Sequence, residues 1–278
     1  MRFVSALLYS LLMNVVPLVK VIATGRSPAV LLLLYWFETV LLLVTGAIRI
    51  VLHRRATDRA GHYASMRVTS EHEAGVDEAR GSLSDGNAYL RGFLGITVIF
   101  TIAHGVFVVL LVFLFKIAGP VSWADARAAL LYVIFVQGLF LLWDVPRVPH
   151  WSFAALSTNV GSVSLRVLVT QLGLIFGLPV AGMTGSPWGF VGTFIALRAL
   201  GDACIEWMQG LIRQRDLSPG MARFLARTSK KAPESVEAEF DAMKARGKEV
   251  EALLELPIGQ ARYPSRAAAG NEGQTRVS

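Results

Sequence analysis

The chain has one cysteine, Cys204, among 278 residues. An intrachain disulfide is excluded, and so is any zinc site built on cysteine ligands. Charge is also scarce: Asp, Glu, Lys and Arg make up 17% of the residues, against about 25% in a soluble domain. There is no phosphate-cradling glycine loop, no evident Ser-His-Asp set and no internal repeat. Those absences remove the usual signatures of nucleotide binding, nucleophilic hydrolysis and inverted-repeat transport. The charge that is present leans basic, with 27 Lys and Arg against 20 Asp and Glu. No nucleic-acid-binding motif accompanies it. The excess therefore reads as the Lys and Arg that collect at the cytoplasmic ends of membrane helices, and nucleic acid is not expected as a partner.

Apolar residues dominate instead, at 54% of the chain with a mean hydropathy of +0.51. They fall into runs of about 20 residues, the length that crosses a hydrocarbon core. The expected fold is an all-α polytopic transmembrane helix bundle with about six spans, placed at 3–23, 28–52, 92–118, 126–143, 166–183 and 188–212. Pro28 suits a first helical turn. The first run competes with a secretory signal, because Arg2 precedes it and Val21-Ile22-Ala23 resembles a cleavage site. Asn14, Pro17 and Lys20 interrupt it where a signal would stay apolar, which favours a retained helix.

Lys and Arg set the orientation. Arg54, Arg55, Arg59, Arg67, Arg80 and Arg91 follow the second run, with Arg49 at its edge, and Arg213, Arg215, Arg223 and Arg227 follow the sixth. With six spans these lie on one side, so both termini are expected in the cytoplasm of a bacterial inner membrane. A transmembrane domain over 1–213 and a cytoplasmic tail over 214–278 follow. The loop over 53–91 mixes both charge signs with Gly and Ser and suggests no fold of its own. Residues 146–164, with Trp151 and Phe153, suit a membrane interface. In the tail, an amphipathic helix is expected over 233–246 and toward 256, acidic at its start and basic near its end. Residues 259–278 read as disordered.

Polar residues inside the runs are the candidates for function. Glu38 lies about 15 Å along its helix, Arg198 about 15 Å along the last and His104 about 18 Å along the third, each close to the middle of a roughly 30 Å core. Ionisable groups at that depth are costly and are normally paired or face a wet interior. Arg198, Asp202 and Glu206 recur at i, i+4 and i+8 and share one face. Arg198 can bind a carboxylate through two parallel hydrogen bonds, from Asp202 along its own helix or from Glu38 across helices. The candidate buried polar cluster is Glu38, His104, Arg198 and Asp202, extended by Gln137, Gln171 and Glu206. His104 reads either as a packing residue or as a proton carrier. The other histidines, His53, His62, His72 and His150, fall in loops, so no metal site is expected at membrane depth, and no cofactor is expected. Gly173 and Gly177 form a small-xxx-small motif that lets helices approach closely, and Pro179 and Pro187 bracket that helix's outer end. Phe100 and His104 share the Phe-x-x-x-His spacing of intramembrane CAAX-type proteases, but no span carries the adjacent glutamates those enzymes need.

Four segments together carry a resemblance. They are Tyr35-Trp36-Phe37-Glu38-Thr39, then His104 with Gly105 and Phe107, then Arg166 before a Gly-containing helix, then Arg198-Ala199-Leu200-Gly201-Asp202. The chain resembles an uncharacterised family of prokaryotic multi-pass membrane proteins, a domain of unknown function. That family has Tyr-Trp-x-Glu-Asn early and Lys-x-x-x-Asp in its final helix; this chain has Thr39 and Arg198 at the departing positions. The resemblance implies a membrane bundle and groups Glu38, His104, Arg198 and Asp202, but implies no activity. The function expected is that of a non-enzymatic membrane protein with a structural polar cluster and the lipid bilayer as partner. The alternatives are a small-solute or proton-linked transporter using Glu38 and His104, and, last, an intramembrane enzyme.

Overall fold

The computed structural model describes residues 11–25, 27, 29–67, 76–114, 120–213 and 232–261. Side chains of 202–213, within the last membrane helix, lie outside the described set. The described residues are helical, with no strand beyond an isolated bridge between Arg59 and Pro257. The helices are α1 (Val16–Ala23), entered from a π-turn over Leu11–Val15, α2 (Ala29–Thr57), α3 (Val76–Gly81), α4 (Ala88–Val109), continued by a π-turn over Leu110–Leu114, α5 (Trp123–Asp144), α6 (Phe153–Thr184), α7 (Pro187–Arg213) and α8 (Pro233–Glu255). Among the described residues, four stretches are long and apolar enough to cross a membrane: Ala29–Thr57, Ala88–Leu114, Trp123–Asp144 and Phe153–Thr184. Trp188–Gly201 is a shorter apolar helix.

Two of these helices run past their expected limits. α6 starts at Phe153, well before Arg166. Its first turns, Ala154-Ala155-Leu156-Ser157-Thr158-Asn159, are too polar to raise hydropathy, yet nothing in them breaks a helix. Ser152 caps the start by accepting from Ala155 N at 3.1 Å. Ser162, Ser164 and Thr170 donate back to carbonyls three or four residues earlier, which satisfies their hydroxyls within the helix. The helix also continues through Pro179. α2 ends at Thr57, which places His53 on a helix instead of in a loop.

The chain divides into two compact units. The first takes Met1–Ile50, Phe93–Val148 and Thr158–Asp216. Its apolar core joins Val21 of α1, the Ala29–Tyr35 turns of α2, Val108, Leu111 and Val112 at the end of α4, Ala129, Val133 and Val136 of α5, and Phe190, Val191 and Phe194 of α7. α6 meets α7 at the two glycines. A Cβ on Gly173 would come within 2.8 Å of the Phe194 ring, and one on Gly177 within 2.8 Å of the Phe190 ring. The phenyl rings fill the space that two missing side chains leave. Gly46 does the same for Phe93, where a Cβ would stand 2.6 Å from the ring. α5 turns one face outward: Leu131, Phe135, Leu139 and Leu142 are all exposed, as hydrocarbon-facing side chains are. Exposed tryptophans stand at its two ends, Trp123 and Trp143. Twenty residues separate them, about 30 Å along a helix, which matches the thickness of a hydrocarbon core.

The second unit takes Val51–Gly92, Pro149–Ser157 and Leu217–Ser278. The 53–91 segment, in which the sequence suggested no fold, contributes a 3₁₀ turn over Ala60–Tyr63 and the short α3. The 58–60 strap is tied to the end of α8, because Ala60 N donates to Leu256 O at 2.7 Å and Ile258 N to Asp58 O at 3.1 Å. Glu255 Oε1 accepts from Ala154 N at 2.9 Å. α8 occupies the expected tail helix and extends past Gly247. It buries Val250, Leu253 and Leu254. Phe153 is buried here, not at an interface. Its ring lies against Gly61, where any Cβ would clash at 2.2 Å, and edge-on to His62 and Tyr89.

Candidate functional site

Glu38 sits in the third turn of α2 with no exposed surface, and Arg198 of α7 is 3% exposed. Arg198 Nη2 donates to Glu38 Oε1 at 2.6 Å and to Oε2 at 2.5 Å. The pair is not the parallel two-nitrogen fork that arginine offers most readily. One nitrogen serves both carboxylate oxygens, and Nη1 is left to reach Thr170 Oγ1 of α6 at 3.4 Å. The guanidinium carbon lies 4.4 Å from the centre of the Tyr35 ring, one turn before Glu38, a cation–π contact worth more once water is excluded. Tyr35 is held in turn by Phe194, 5.0 Å away and one turn before Arg198. Two aromatic-plus-charge turns, Tyr35/Glu38 and Phe194/Arg198, thus interlock.

α4 joins the same polar layer through a main-chain contact. Gln171 Nε2 of α6 donates to Phe100 O at 2.9 Å, in the turn that carries His104. His104 is fully buried. Neither of its ring nitrogens has a hydrogen-bond partner among the described residues, and the nearby charge it senses is that of Arg198. Gln137 is buried on α5. Asp202 and Glu206 lie on α7, with side chains outside the described residues. The structure therefore pairs Glu38 with Arg198, adds Thr170 beside them, and places Gln171 and His104 on the flanking helices.

A second ion pair was not legible in the sequence. Arg49 Nε and Nη2 donate to Asp144 Oδ2 at 3.1 and 2.9 Å, and Arg49 Nη1 reaches Thr45 Oγ1 at 3.4 Å. Arg49 stands three turns beyond Glu38 on the same face of α2, about 16 Å further along the helix. In sequence it is one more cation at the end of an apolar run. Its partner is the last residue of α5, and no periodicity links the two.

In the second unit the buried histidines form a pair. His62 Nε2 and His53 Nδ1 are 2.8 Å apart, and His53 Nε2 is 3.0 Å from Trp151 O. A carbonyl only accepts, so His53 must carry its proton on Nε2. Its Nδ1 then accepts from His62 Nε2–H, and His62 Nδ1 is left as a bare lone pair. Burial holds the His62 imidazole down to about 3, helped by the neighbouring His53 and Arg54. Two nitrogen ligands do not make a metal centre, and no group of three or more His, Cys, Asp or Glu suited to a metal occurs among the described residues. In the sequence His53 and His62 read as separate loop histidines. Reading 53–91 as an unstructured loop concealed the pair.

Long apolar helices, a core built across them and a buried Glu38–Arg198 ion pair at its centre define an all-α integral membrane protein. Within that class the chain belongs to the Family of unknown function (DUF6498), which it matches over residues 3–234. No curated protein and no solved structure matches it.

Proposed function

We propose that this is a non-enzymatic integral membrane protein whose Glu38–Arg198 pair fixes helix packing. The observation that carries this reading is the closure of the pair. The carboxylate has no exposed surface, both its oxygens accept hydrogen bonds from Arg198 Nη2, and Tyr35 covers the guanidinium. A carboxylate that bound and released a solute would need an open approach. A charged pair enclosed in this way specifies which helices meet and in what register. Both termini face the cytoplasm of a bacterial inner membrane in this reading, with the tail after residue 213 on that side.

One observation favours a second reading. The nitrogens of His104, without partners among the described residues, suit a residue that takes up and passes on a proton, as a proton-linked transporter of small solutes requires. Proteoliposomes containing a trapped pH dye separate the two. The structural reading expects proton flux equal to that of protein-free vesicles. Flux above that level that disappears in His104→Phe establishes the transporter reading instead.

A further inference from the structure

α5 ends in an exposed aromatic–cation pair, Trp143 and Arg147. The guanidinium carbon of Arg147 lies 4.1 Å from the centre of the Trp143 ring. Its Nη1 donates to Trp143 O, one of the last-turn carbonyls that a helix leaves without an internal partner. The backbone is pinned as well, because Arg147 N donates to Asp144 O at 2.7 Å. Asp144 is the carboxylate nearest to Arg147 in sequence, but its side chain is taken. Arg49 Nε and Nη2 both donate to it. Among the described residues no carboxylate pairs with Arg147, and its guanidinium makes no bond beyond the one to Trp143 O. The turn therefore presents a positioned guanidinium whose charge is uncompensated and whose Nε and Nη2 donors are open.

Trp123 and Trp143 stand about 30 Å apart along α5, the thickness of a hydrocarbon core, and tryptophan favours the edges of that core. Arg147 follows Trp143 past the end of α5, on the side away from the core, where phospholipid phosphates lie. Leu139 and Leu142 are exposed one turn back on the face that carries Trp143, a surface for acyl chains. We propose that the Trp143–Arg147 turn binds the headgroup of an anionic phospholipid. Two phosphodiester oxygens accept from Nε and Nη2, the fork that arginine offers to phosphate, and the acyl chains lie along Leu139 and Leu142. Trp143 already holds the guanidinium, so less side-chain freedom is lost on binding. Charge selects a net-anionic headgroup, because a zwitterionic one brings a cation of its own to a turn that has one unpaired. Arg49 is a positioning residue here, since it keeps the Asp144 carboxylate from Arg147. The site shares no residue with the Glu38–Arg198 layer.

The test uses the full-length protein in detergent and native mass spectrometry, which counts lipids on the folded protein. Four probes separate the sources of the contact: dioleoylphosphatidylglycerol, dioleoylphosphatidylcholine, dioleoylglycerol and inorganic phosphate. The first binding step should be tightest for phosphatidylglycerol, and inorganic phosphate should not displace it. In Arg147→Gln that step should weaken about tenfold, the usual consequence of losing a charge-assisted hydrogen bond. In Trp143→Leu, which frees the guanidinium, it should weaken about threefold. Equal first-step binding of phosphatidylcholine or dioleoylglycerol overturns the anionic headgroup. Displacement by inorganic phosphate assigns the turn to a free anion and overturns the lipid. An unchanged first step in either variant overturns the site.

Discussion

A single nitrogen of Arg198 bridges both oxygens of Glu38, at 2.6 and 2.5 Å, across 160 residues of sequence. Both groups are withdrawn from solvent, Glu38 with no exposed surface and Arg198 3% exposed. Removing one partner of such a pair leaves a buried charge and costs about 3–5 kcal/mol, whereas removing both relieves that penalty. Glu38→Gln and Arg198→Gln should each lower the Tm of the detergent-solubilised protein, and the double variant should lose less than the sum, with a coupling of about 1–3 kcal/mol. Strictly additive losses would sink the pairing.

The sequence made this pair legible because burial at membrane depth is itself a signal. Glu38 and Arg198 stand out in apolar runs, and simple helical rise puts both near the midplane. The order of the apolar helices was legible for the same reason. Pairings between ordinary-looking residues were not. Arg49 passes for a flanking cation and Asp144 for a helix end. The second unit was hidden for a different reason. Its core is assembled from three stretches far apart in sequence and mixed in polarity, so no window of sequence carries the periodicity of a buried face. Gly61, which must be glycine to admit the Phe153 ring, looks like any loop glycine. Ser162 and Ser164 misled in the opposite direction: hydroxyls bonded to their own helix count as polar in a hydropathy sum but cost little in place.

Topology offers an independent check. In the proposed topology, read from the Lys and Arg bias, the 184–187 turn is outside and the tail inside. Reporter fusions after Gly185 should read as external, and fusions after residues 59 and 215 as cytoplasmic. A cytoplasmic signal from the Gly185 fusion would overturn the six-span arrangement.

The tail reads in the sequence as an appendage, but the contacts of α8 argue otherwise. Ala60 and Asp58 are bonded to Leu256 and Ile258, and Glu255 holds Ala154 N. Truncation after residue 231 should therefore leave membrane insertion intact but expose the 54–67 segment. Limited trypsin digestion should cleave the truncated protein at Arg54, Arg55 or Arg59 at least tenfold faster than the full chain, equivalent to about 1.4 kcal/mol of lost protection. Equal digestion rates would show that the strap is held without the tail.

Acid should weaken the second unit through His62. Its folded value of about 3 lies below the ordinary 6.5, with burial as the main cause, followed by His53 and Arg54. The sign follows from where the proton goes. Between those two values the unfolded chain takes up a proton that the folded chain refuses, so stability falls with pH throughout that window. Above 6.5 both states are neutral and nothing is lost. At pH 5 the deficit from this one group is about 2 kcal/mol. The geometry explains why folding cannot accommodate the proton. Both nitrogens of His53 are already engaged, so a new proton must go onto His62 Nδ1, where no acceptor waits among the described residues. Glu255, Arg54 and Arg59 are the charged neighbours of the pair. Two of the three are cations, so the local field also opposes protonation. His62→Gln keeps a donor near the Nε2 position and cannot be protonated. Proteolytic protection of the 54–67 segment, followed from pH 7.5 to 4.5, should fall steeply in the native protein and more shallowly in the variant. Parallel pH profiles would remove His62 as the titrating group.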